Sequence, residues 1–247
     1  SDPDQMILPV IITEETLLLP HMSIPFPMAD EDSRASVERA MRMVPRHVLL
    51  LTERRIPRNP EQPADGELDE ATRDLIDIMT DMIAQGGEEE AREFAEEHVN
   101  QDIEDDLDAA FDDADYELCE WGVIAEVGQY ITRPGGQDHV ILNGIARGRV
   151  EDIIQEHPFL AAKVHRAHEV IHPPEETETA MGAMFEQVEN YISMLPNVPE
   201  EVLEMVRSVD EPGWLADLIA FSPEFTSEQR QDLVETIDPL ERLRKIN

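Results

Sequence analysis

Apolar runs interrupted by proline dominate the first 51 residues of the chain. A β-branched run, "MILPVII", predicts a buried strand that begins at Met6. Prolines in the next run, "LLLPHMSIPFPM", would remove hydrogen bonds from a central strand, so they predict edge strands, bulges or a sharp turn. The segment "DEDSRASVERAM" predicts a helix with Asp30 or Asp32 as its N-cap, and "HVLLL" predicts another buried strand.

Acidic side chains dominate residues 61–117, which contain 23 aspartates and glutamates against two arginines. Apolar residues such as Leu75 and Met79, and later Ile103 and Leu107, still recur there at near-helical spacing. This pattern predicts an acidic helical hairpin inserted between two strands over about residues 59–117. The alternative is a solvated, partly disordered loop, because acidic runs commonly fail to bury a core.

Strand periodicity returns at residue 119 and continues to about residue 171. The sequence "RPGGQD" predicts a hairpin turn between two strands, because Gly135 and Gly136 tolerate positive φ. Gly144 and Gly148 in the returning strand predict bulges or tight bends. The segment "HPFLAAKVHRAHEV" predicts one more strand.

Helical periodicity replaces the strand pattern after residue 174. In "ETETAMGAMFEQVENYISML" the apolar residues, Met181 and Tyr191 among them, recur at i, i+3, i+4 and i+7. The segment "TSEQRQDLVETI" opens with a capping box of Thr226 and Gln229, and Asp238 is the predicted N-cap of the last helix. That helix carries no glycine or proline stop signal, so we expect it to lead into a further module.

The net charge of −37 limits the partners of this chain. A surface that negative repels phosphate backbones and anionic lipid, so we predict neither nucleic-acid nor membrane binding. No apolar run has the length of a membrane span, and the first residues lack the pattern of a signal peptide. The single cysteine, Cys119, cannot form an internal disulfide, and we predict that it is a small buried residue beside Trp121.

The sequence offers few candidates for chemistry. His165, His168 and His172 invite a metal site, but His165 and His168 point to opposite faces of a strand, which favours surface histidines. Carboxylates at 88–90 and 104–106 lack the order of a calcium loop. No phosphate loop, nucleophile elbow or Ser-Lys protease motif is present. We therefore predict no catalytic residue, no metal and no cofactor in this chain.

Alternate positions near the first prolines carry apolar side chains. Met22, Ile24, Phe26 and Met28 fall on one face of a strand, and one interpretation is that this face belongs to the core. The other interpretation is an adaptable patch for apolar segments of unfolded client proteins, because methionine is flexible and polarizable. These four residues are our predicted client-binding site.

Four stretches resemble the amino-terminal domain of the ATP-dependent protease Lon. They are "LPVIITEETLLLPHMSIPF", "GVIAEVGQYITRPGGQDHVILNGIARGRV", "HPFLAAKV" and "EPGWLADLIAFSPEFTSEQRQDLVETIDPLERLRKI". The second contains a Gly-x-x-Arg-x-Arg-like run of that family at Gly144, Arg147 and Arg149. Two features depart from the family pattern: the length of the acidic stretch before residue 117, and Asn143, where we would expect an acidic residue.

This resemblance implies an α+β fold. We expect a strand-rich, PUA-like pseudo-barrel lobe over residues 6–171, interrupted by the acidic helical insertion, and a helical bundle lobe over residues 173–247. The implied function is substrate recognition and delivery, in which unfolded or damaged proteins pass to ATPase and serine protease modules that this chain lacks. ATP and Mg²⁺ belong to those modules of the parent enzyme.

The resemblance also implies partners and a location. We expect unfolded or damaged proteins and the other Lon subunits of a hexameric ring as partners, in the bacterial cytoplasm or, alternatively, the mitochondrial matrix. Two other functions stay open. The chain is alternatively an assembly or spacer module of the ring, or a stand-alone adaptor domain of the same family.

Overall fold

The computed structural model describes residues 2–56, 115–132, 138–194 and 200–246, together with Ile78. Ser1–Arg54 and Leu118–Asn247 form one compact unit, and Arg55–Glu117 form a second. The predicted acidic helical insertion lies almost wholly outside the described residues. The predicted turn at Gly135 and Gly136 also lies outside them.

Six strands form a sheet that closes on itself. They are β1 (Gln5–Thr13), β2 (Ser23–Pro27), β3 (His47–Ile56), β4 (Asp115–Ile131), β5 (His139–Gln155) and β6 (Ala161–Arg166). Their order is β2-β5-β4-β3-β1-β6, and a further pairing of β5 with β6 closes a ring of five strands, with β2 attached at its edge. β1 runs parallel to β3 and antiparallel to β6, and β5 is antiparallel to β2, β4 and β6. The predicted strand-rich pseudo-barrel is confirmed.

Alternating side chains fill the inside of this ring. The buried cluster there consists of Leu8, Val10, Leu49, Leu51, Ile124, Ala162 and Val164. Because successive side chains of a strand point to opposite faces, residues two apart on β1, β3 and β6 meet in the interior. The strand periodicity of the sequence therefore matches the inner face of the ring.

Helix α1 (Glu31–Met41) covers part of the outer face of the ring. Asp30 is its N-cap, as predicted, because Asp30 Oδ1 accepts a hydrogen bond from the amide of Ser33 at 2.6 Å. On its inner side Val37 is fully buried, and Ser36 Oγ donates to the carbonyl of Val10 at 2.7 Å. The helix is thus held to β1 by both apolar burial and a buried hydrogen bond.

Gly144 lies at a β-bulge in β5. Ile124 pairs with Ala146 and Ala125 pairs with Gly144, so β5 contributes one extra residue between these pairs. A Cβ on Gly144 would lie 2.2 Å from the carbonyl oxygen of Leu19, a distance that only glycine permits. The bulge predicted at this glycine is confirmed.

Five described helices follow β6: α2 (Pro174–Met194), α3 (Glu200–Arg207), α4 (Pro212–Ala220), α5 (Ser227–Glu235) and α6 (Pro239–Ile246). The capping box of α5 is present as predicted, because Thr226 and Gln229 each accept a hydrogen bond from the other's amide. Met181, Leu215 and Leu240 belong to the core that these helices share. No helix in the described ranges is long and apolar enough to cross a membrane.

Helix α5 joins the helical part of the chain to the ring. Leu233 and Val234 belong to the core on the outer face of the ring. Gln231, itself buried, accepts a hydrogen bond from Thr16 Oγ1 at 3.0 Å and donates to the carbonyl of Trp121 at 2.9 Å. The predicted domain ranges of 6–171 and 173–247 stay a proposal, and the compact unit of Ser1–Arg54 and Leu118–Asn247 includes residues of both.

Candidate functional site

The four residues predicted to bind clients lie on or beside the edge strand β2. Phe26 and Met28 are buried in the core on the outer face of the ring. Met22 and Ile24 are partly buried and pack against the same core. In this conformation a client would have access mainly to Met22 and Ile24. Client binding at these four positions stays a prediction.

Several exposed apolar side chains lie on α2 and α3, while others are spread over the strands and connecting segments. Tyr191 and Met194, three residues apart on α2, are 44% and 79% exposed, and Met205 on α3 is 51% exposed. We call these three residues the α2–α3 surface. The sequence places Tyr191 on the apolar face of its helix, but the structure leaves it half exposed, with its hydroxyl donating to Glu224.

An exposed ion pair shows where α2 and α3 lie side by side. Arg207 Nη2 lies 2.6 Å from Glu189 Oε1, and α3 begins six residues after α2 ends, so the two helices return alongside each other. Tyr191 follows Glu189 by two residues and Met205 precedes Arg207 by two, which places both at the same level along the helix pair. A two-residue step turns a helix by about 200°, so both lie away from the ion pair.

The N-terminal half of α2 and helix α6 enclose a groove of about 630 Å³. Its apolar lining residues are Ala180, Ala183, Met184, Leu240 and Leu243. Ala180, Ala183, Gln187, Tyr191 and Met194 recur at spacings of three and four, so the same face of α2 runs from this groove to the α2–α3 surface.

Carboxylates outnumber cations around these helices. Residues 174–247 contain 17 aspartates and glutamates against five lysines and arginines. Four of the five cations already have partners. Arg207 pairs with Glu189, Lys245 with Asp232 and the buried Arg242 with Glu169. Arg230 donates to backbone carbonyls. The surface of the helical part is therefore strongly negative.

A buried ion pair joins β5 to α4. Arg147 Nη2 lies 2.6 Å from Asp217 Oδ1, and Arg147 Nη1 donates to Asp217 Oδ2 at 3.0 Å, so the pair is bidentate. The side chains are 3% and 1% exposed. Arg147 also donates to the carbonyl of Leu233 on α5. One arginine on the ring thereby contacts two helices.

Arg242 extends this pair into a cluster. It is fully buried, its Nε lies 3.6 Å from Asp217 Oδ1, and its Nη2 donates to Glu169. Nη1 donates to the carbonyls of Thr236 and Ile237. Burial lowers the pKa of Arg242 and the charge of Arg147 lowers it further, while Asp217 and Glu169 oppose both effects. The two carboxylates therefore supply the counter-charge for two neighbouring arginines inside the protein.

The three histidines singled out in the sequence lie beside different carboxylates. His168 Nε2 is 2.7 Å from Asp4 Oδ1, and His172 Nε2 is 2.7 Å from Asp238 Oδ1. His165 Nδ1 is 3.8 Å from Asp2 Oδ2. Within the described residues, no group of three or more histidine, cysteine, aspartate or glutamate side chains is placed to hold a metal ion.

A second groove, of about 820 Å³, lies on the ring where β4 begins. Cys119 and Trp121 line it together, and Cys119 is buried, as the sequence predicts. The charged side chains at this groove are already paired, since Arg149 lies 2.9 Å from Glu120 and Lys163 lies 3.2 Å from Glu151. This groove therefore presents less unbalanced charge than the helical part does.

Comparison with known families places this chain in a class of substrate-binding domains of ATP-dependent proteases. The family model "ATP-dependent protease La (LON) substrate-binding domain" matches residues 7–247, and the chain belongs to this family. The Lon protease of Chloroflexus aggregans is 27% identical over 242 residues, which are 97% of this chain and 23% of that protein. The Lon protease of Chloroflexus aurantiacus is 35% identical over 130 residues, which are 53% of this chain and 16% of that protein.

Two solved structures share the fold. The N-terminal domain of the Mycobacterium avium complex Lon protease superposes with a TM-score of 0.61 at 17% identity. The Lon N-terminal domain protein of Xanthomonas campestris gives a TM-score of 0.54 at 13% identity. Each comparison covers 98% of this chain and 96% of the other. The matched residues cover 16% and 23% of the two whole proteases above, so the chain spans only part of the length of these relatives.

Proposed function

We propose that this chain recognises unfolded or damaged proteins and delivers them to the ATPase and protease modules of a Lon protease. The observation that carries the proposal is the α2–α3 surface, where three large apolar side chains stand exposed on two adjoining helices. Large apolar residues grouped on a surface commonly mark an interaction site. Membership of the substrate-binding family supports a protein substrate as the partner.

The expected mechanism is weak binding at several sites. Met22 and Ile24 on the ring, with Phe26 and Met28 behind them, form one further proposed contact for a client. If six copies act together in a ring, their sites raise the effective concentration for one client chain. The chain itself contributes binding and orientation, while hydrolysis of ATP and of peptide bonds belongs to the other modules of the parent enzyme, with their ATP and Mg²⁺.

The proposed setting follows from this role. A bacterial cytoplasm agrees with the bacterial sources of the related Lon proteases, and the mitochondrial matrix is the alternative. The other subunits of the ring are the proposed permanent partners. Because the chain is strongly acidic, we propose no direct contact with nucleic acid or with anionic membranes.

A chemical-shift titration tests the proposal. The isotope-labelled chain is titrated with a permanently unfolded protein, and we expect shifts at α2, α3 and β2. In parallel, degradation of the same client is measured with the whole protease and with a form that lacks this domain. The proposal fails if the titration shows no shifts and the shortened protease degrades the client as fast as the whole one.

The second candidate function is assembly of the hexameric protease, with this domain as a spacer. The buried cluster of Arg147, Asp217 and Arg242 favours it, because this cluster gives the chain a rigid connection between its ring of strands and its helices. Deleting residues 173–247 from the whole protease and measuring hexamer formation separates the two functions. A spacer role predicts lost hexamers, and a recognition role predicts intact hexamers with weaker client binding.

A further inference from the structure

The apolar part of the α2–α3 surface suits a partner of variable sequence. Met194 and Met205 are the two most exposed of its side chains, and methionine adapts its shape through three rotatable bonds. Tyr191 adds a rigid ring whose hydroxyl already has an acceptor in Glu224. The face of the tyrosine side chain therefore stays available for apolar contacts, while its hydroxyl is already hydrogen-bonded within the protein.

Carboxylates border this surface without counter-charges. Glu204 precedes Met205 on α3, and Glu224 accepts the hydroxyl of Tyr191. Both are exposed, and neither forms an ion pair with any residue that the structure describes. Arg207 on α3 is already occupied by Glu189. A bound segment therefore meets apolar side chains beside unpaired negative charge.

We propose that the α2–α3 surface binds client segments in which apolar residues are flanked by lysine or arginine. This inference rests on the proposed function and adds the chemistry of the client. An unpaired carboxylate beside an apolar contact attracts a cationic side chain and repels an acidic one, so charge selects among segments of equal hydrophobicity. A second copy of the chain fits less well, because it would bring a further excess of carboxylates to the same place.

Three fluorescent peptides of one length test this selection by anisotropy at low and high salt. Two share the same apolar residues and carry either lysine or glutamate flanks, and the third keeps the lysines but replaces the apolar residues with serine. We expect the lysine-flanked apolar peptide to bind about tenfold more tightly than the glutamate-flanked one. The difference should shrink at high salt, because the charges involved are exposed.

Variants of the chain locate the site. M194S with M205S should weaken binding of the lysine-flanked apolar peptide about tenfold. E204Q with E224Q should weaken it about threefold to tenfold and leave the glutamate-flanked peptide unchanged or tighter, since two exposed charges are removed. The matched control is I154S with E156Q, which changes an exposed apolar residue near the end of β5 and an exposed carboxylate just after that strand, and it should bind as the unaltered chain does.

The outcomes distinguish the inference from the function beneath it. Equal affinities for the two apolar peptides would overturn the charge selection, and unchanged binding by M194S/M205S would overturn the assignment of the surface, while client recognition itself would stand. Failure of all peptides to bind the unaltered chain would overturn both. A dimer of the chain that M194S/M205S dissociates would assign the surface to a second copy and also overturn the inference.

Discussion

Removal of the Asp217 carboxylate should separate the helical part of the chain from the ring. Asp217 is the fully buried one of two carboxylates that contact both arginines, with Oδ1 at 2.6 Å from Arg147 Nη2 and 3.6 Å from Arg242 Nε. In Asp217→Ala, Arg147 loses its bidentate partner and Glu169, which is 40% exposed, remains as the counter-charge. Two guanidinium groups would then share one partly solvated carboxylate.

The magnitude follows from the burial of the pair. Breaking a buried ion pair by removing one partner costs about 3–5 kcal/mol, because the remaining charge stays desolvated. For a chain of this size, each kcal/mol lowers Tm by roughly 2–4 °C, so we expect a fall of about 6–20 °C. Such a loss is a large share of the ~5–15 kcal/mol that stabilises a typical domain.

Asp232→Ala is the matched control on the neighbouring helix α5. Asp232 accepts from Lys245 Nζ at 2.8 Å, so the same side chain is removed from an ion pair of similar length. This pair is exposed, at 56% for the aspartate and 34% for the lysine, and exposed pairs contribute about 0–1 kcal/mol. The control therefore separates the effect of burial from the loss of an aspartate.

Urea unfolding followed by circular dichroism measures both variants, and a double-mutant cycle with Arg147→Met isolates the pair. Removing Arg147 as well should recover part of the loss, with a coupling of about 1 kcal/mol or more. If Asp217→Ala lowers the free energy of unfolding no more than Asp232→Ala does, the cluster does not stabilise the join between ring and helices.

Three further substitutions test the fold by stability measurements. Gly144→Ala should cost about 1–3 kcal/mol in urea unfolding, because its Cβ would lie 2.2 Å from the backbone oxygen of Leu19. Gly182→Ala in α2 should instead stabilise by about 1 kcal/mol, since nothing lies within 4 Å of the added Cβ; a loss there would contradict the open surface. Asp238→Ala removes the N-cap of α6 and should cost ~1 kcal/mol near neutral pH. Burial raises the pKa of Asp238, but hydrogen bonds from His172 and nearby amides lower it more, so its pKa lies below the ordinary value of 3.8. The cost should therefore decrease as the pH falls below 3.8, where the carboxylate becomes protonated in both the unfolded and the folded chain. A cost that does not change with pH would refute the assignment.

Local signals in the sequence predict several elements of the fold. Asp30 and Thr226 are N-caps in the structure because an N-cap depends on contacts within one helical turn. Pro25 and Pro27 predict an edge strand, and β2 is attached at the edge of the ring, where fewer ladder hydrogen bonds are required. In each case the sequence and the deciding interaction lie within a few residues of each other.

Closure of the ring depends on contacts that no local pattern records. Strand β1 pairs parallel to β3 and antiparallel to β6, whose residues lie about 150 positions further along the chain. Periodicity predicts that each strand has a buried face, but it contains no information on which other strand pairs with it. Which strands pair depends on how much side-chain surface the closed ring of strands buries in total, and this is a property of the whole lobe.

The buried ion cluster could not be predicted from residue type. Arginine and aspartate are mostly surface residues, so Asp217 in "EPGWLADLIAF" is expected on the solvent side of an apolar helix. It is buried because Arg147 arrives from β5, 70 residues earlier. The sequence distinguishes Arg147 only through its resemblance to the Lon family. The position of its side chain required the structure.

The exposure of Tyr191 has a related cause. Its spacing from Met181 and Met184 places it on the apolar stripe of α2, and those two methionines are buried while Tyr191 is not. A helical stripe is buried only where another element covers it, and the helices that cover the first turns of α2 do not cover its end. Periodicity thus predicts an apolar face and leaves open whether the protein or a partner covers it.

The two kinds of contact in the helical part suit a domain that holds its position while its partner varies. Arg147, Asp217 and Arg242 have buried and nearly fixed partners, so they set the orientation of α4 and α6 on the ring. Met194 and Met205 have solvent on one side, and their adaptability costs the fold little because they lie outside its core. Changes to the cluster should therefore alter stability first, whereas changes to the α2–α3 surface should alter client binding and leave stability nearly unchanged.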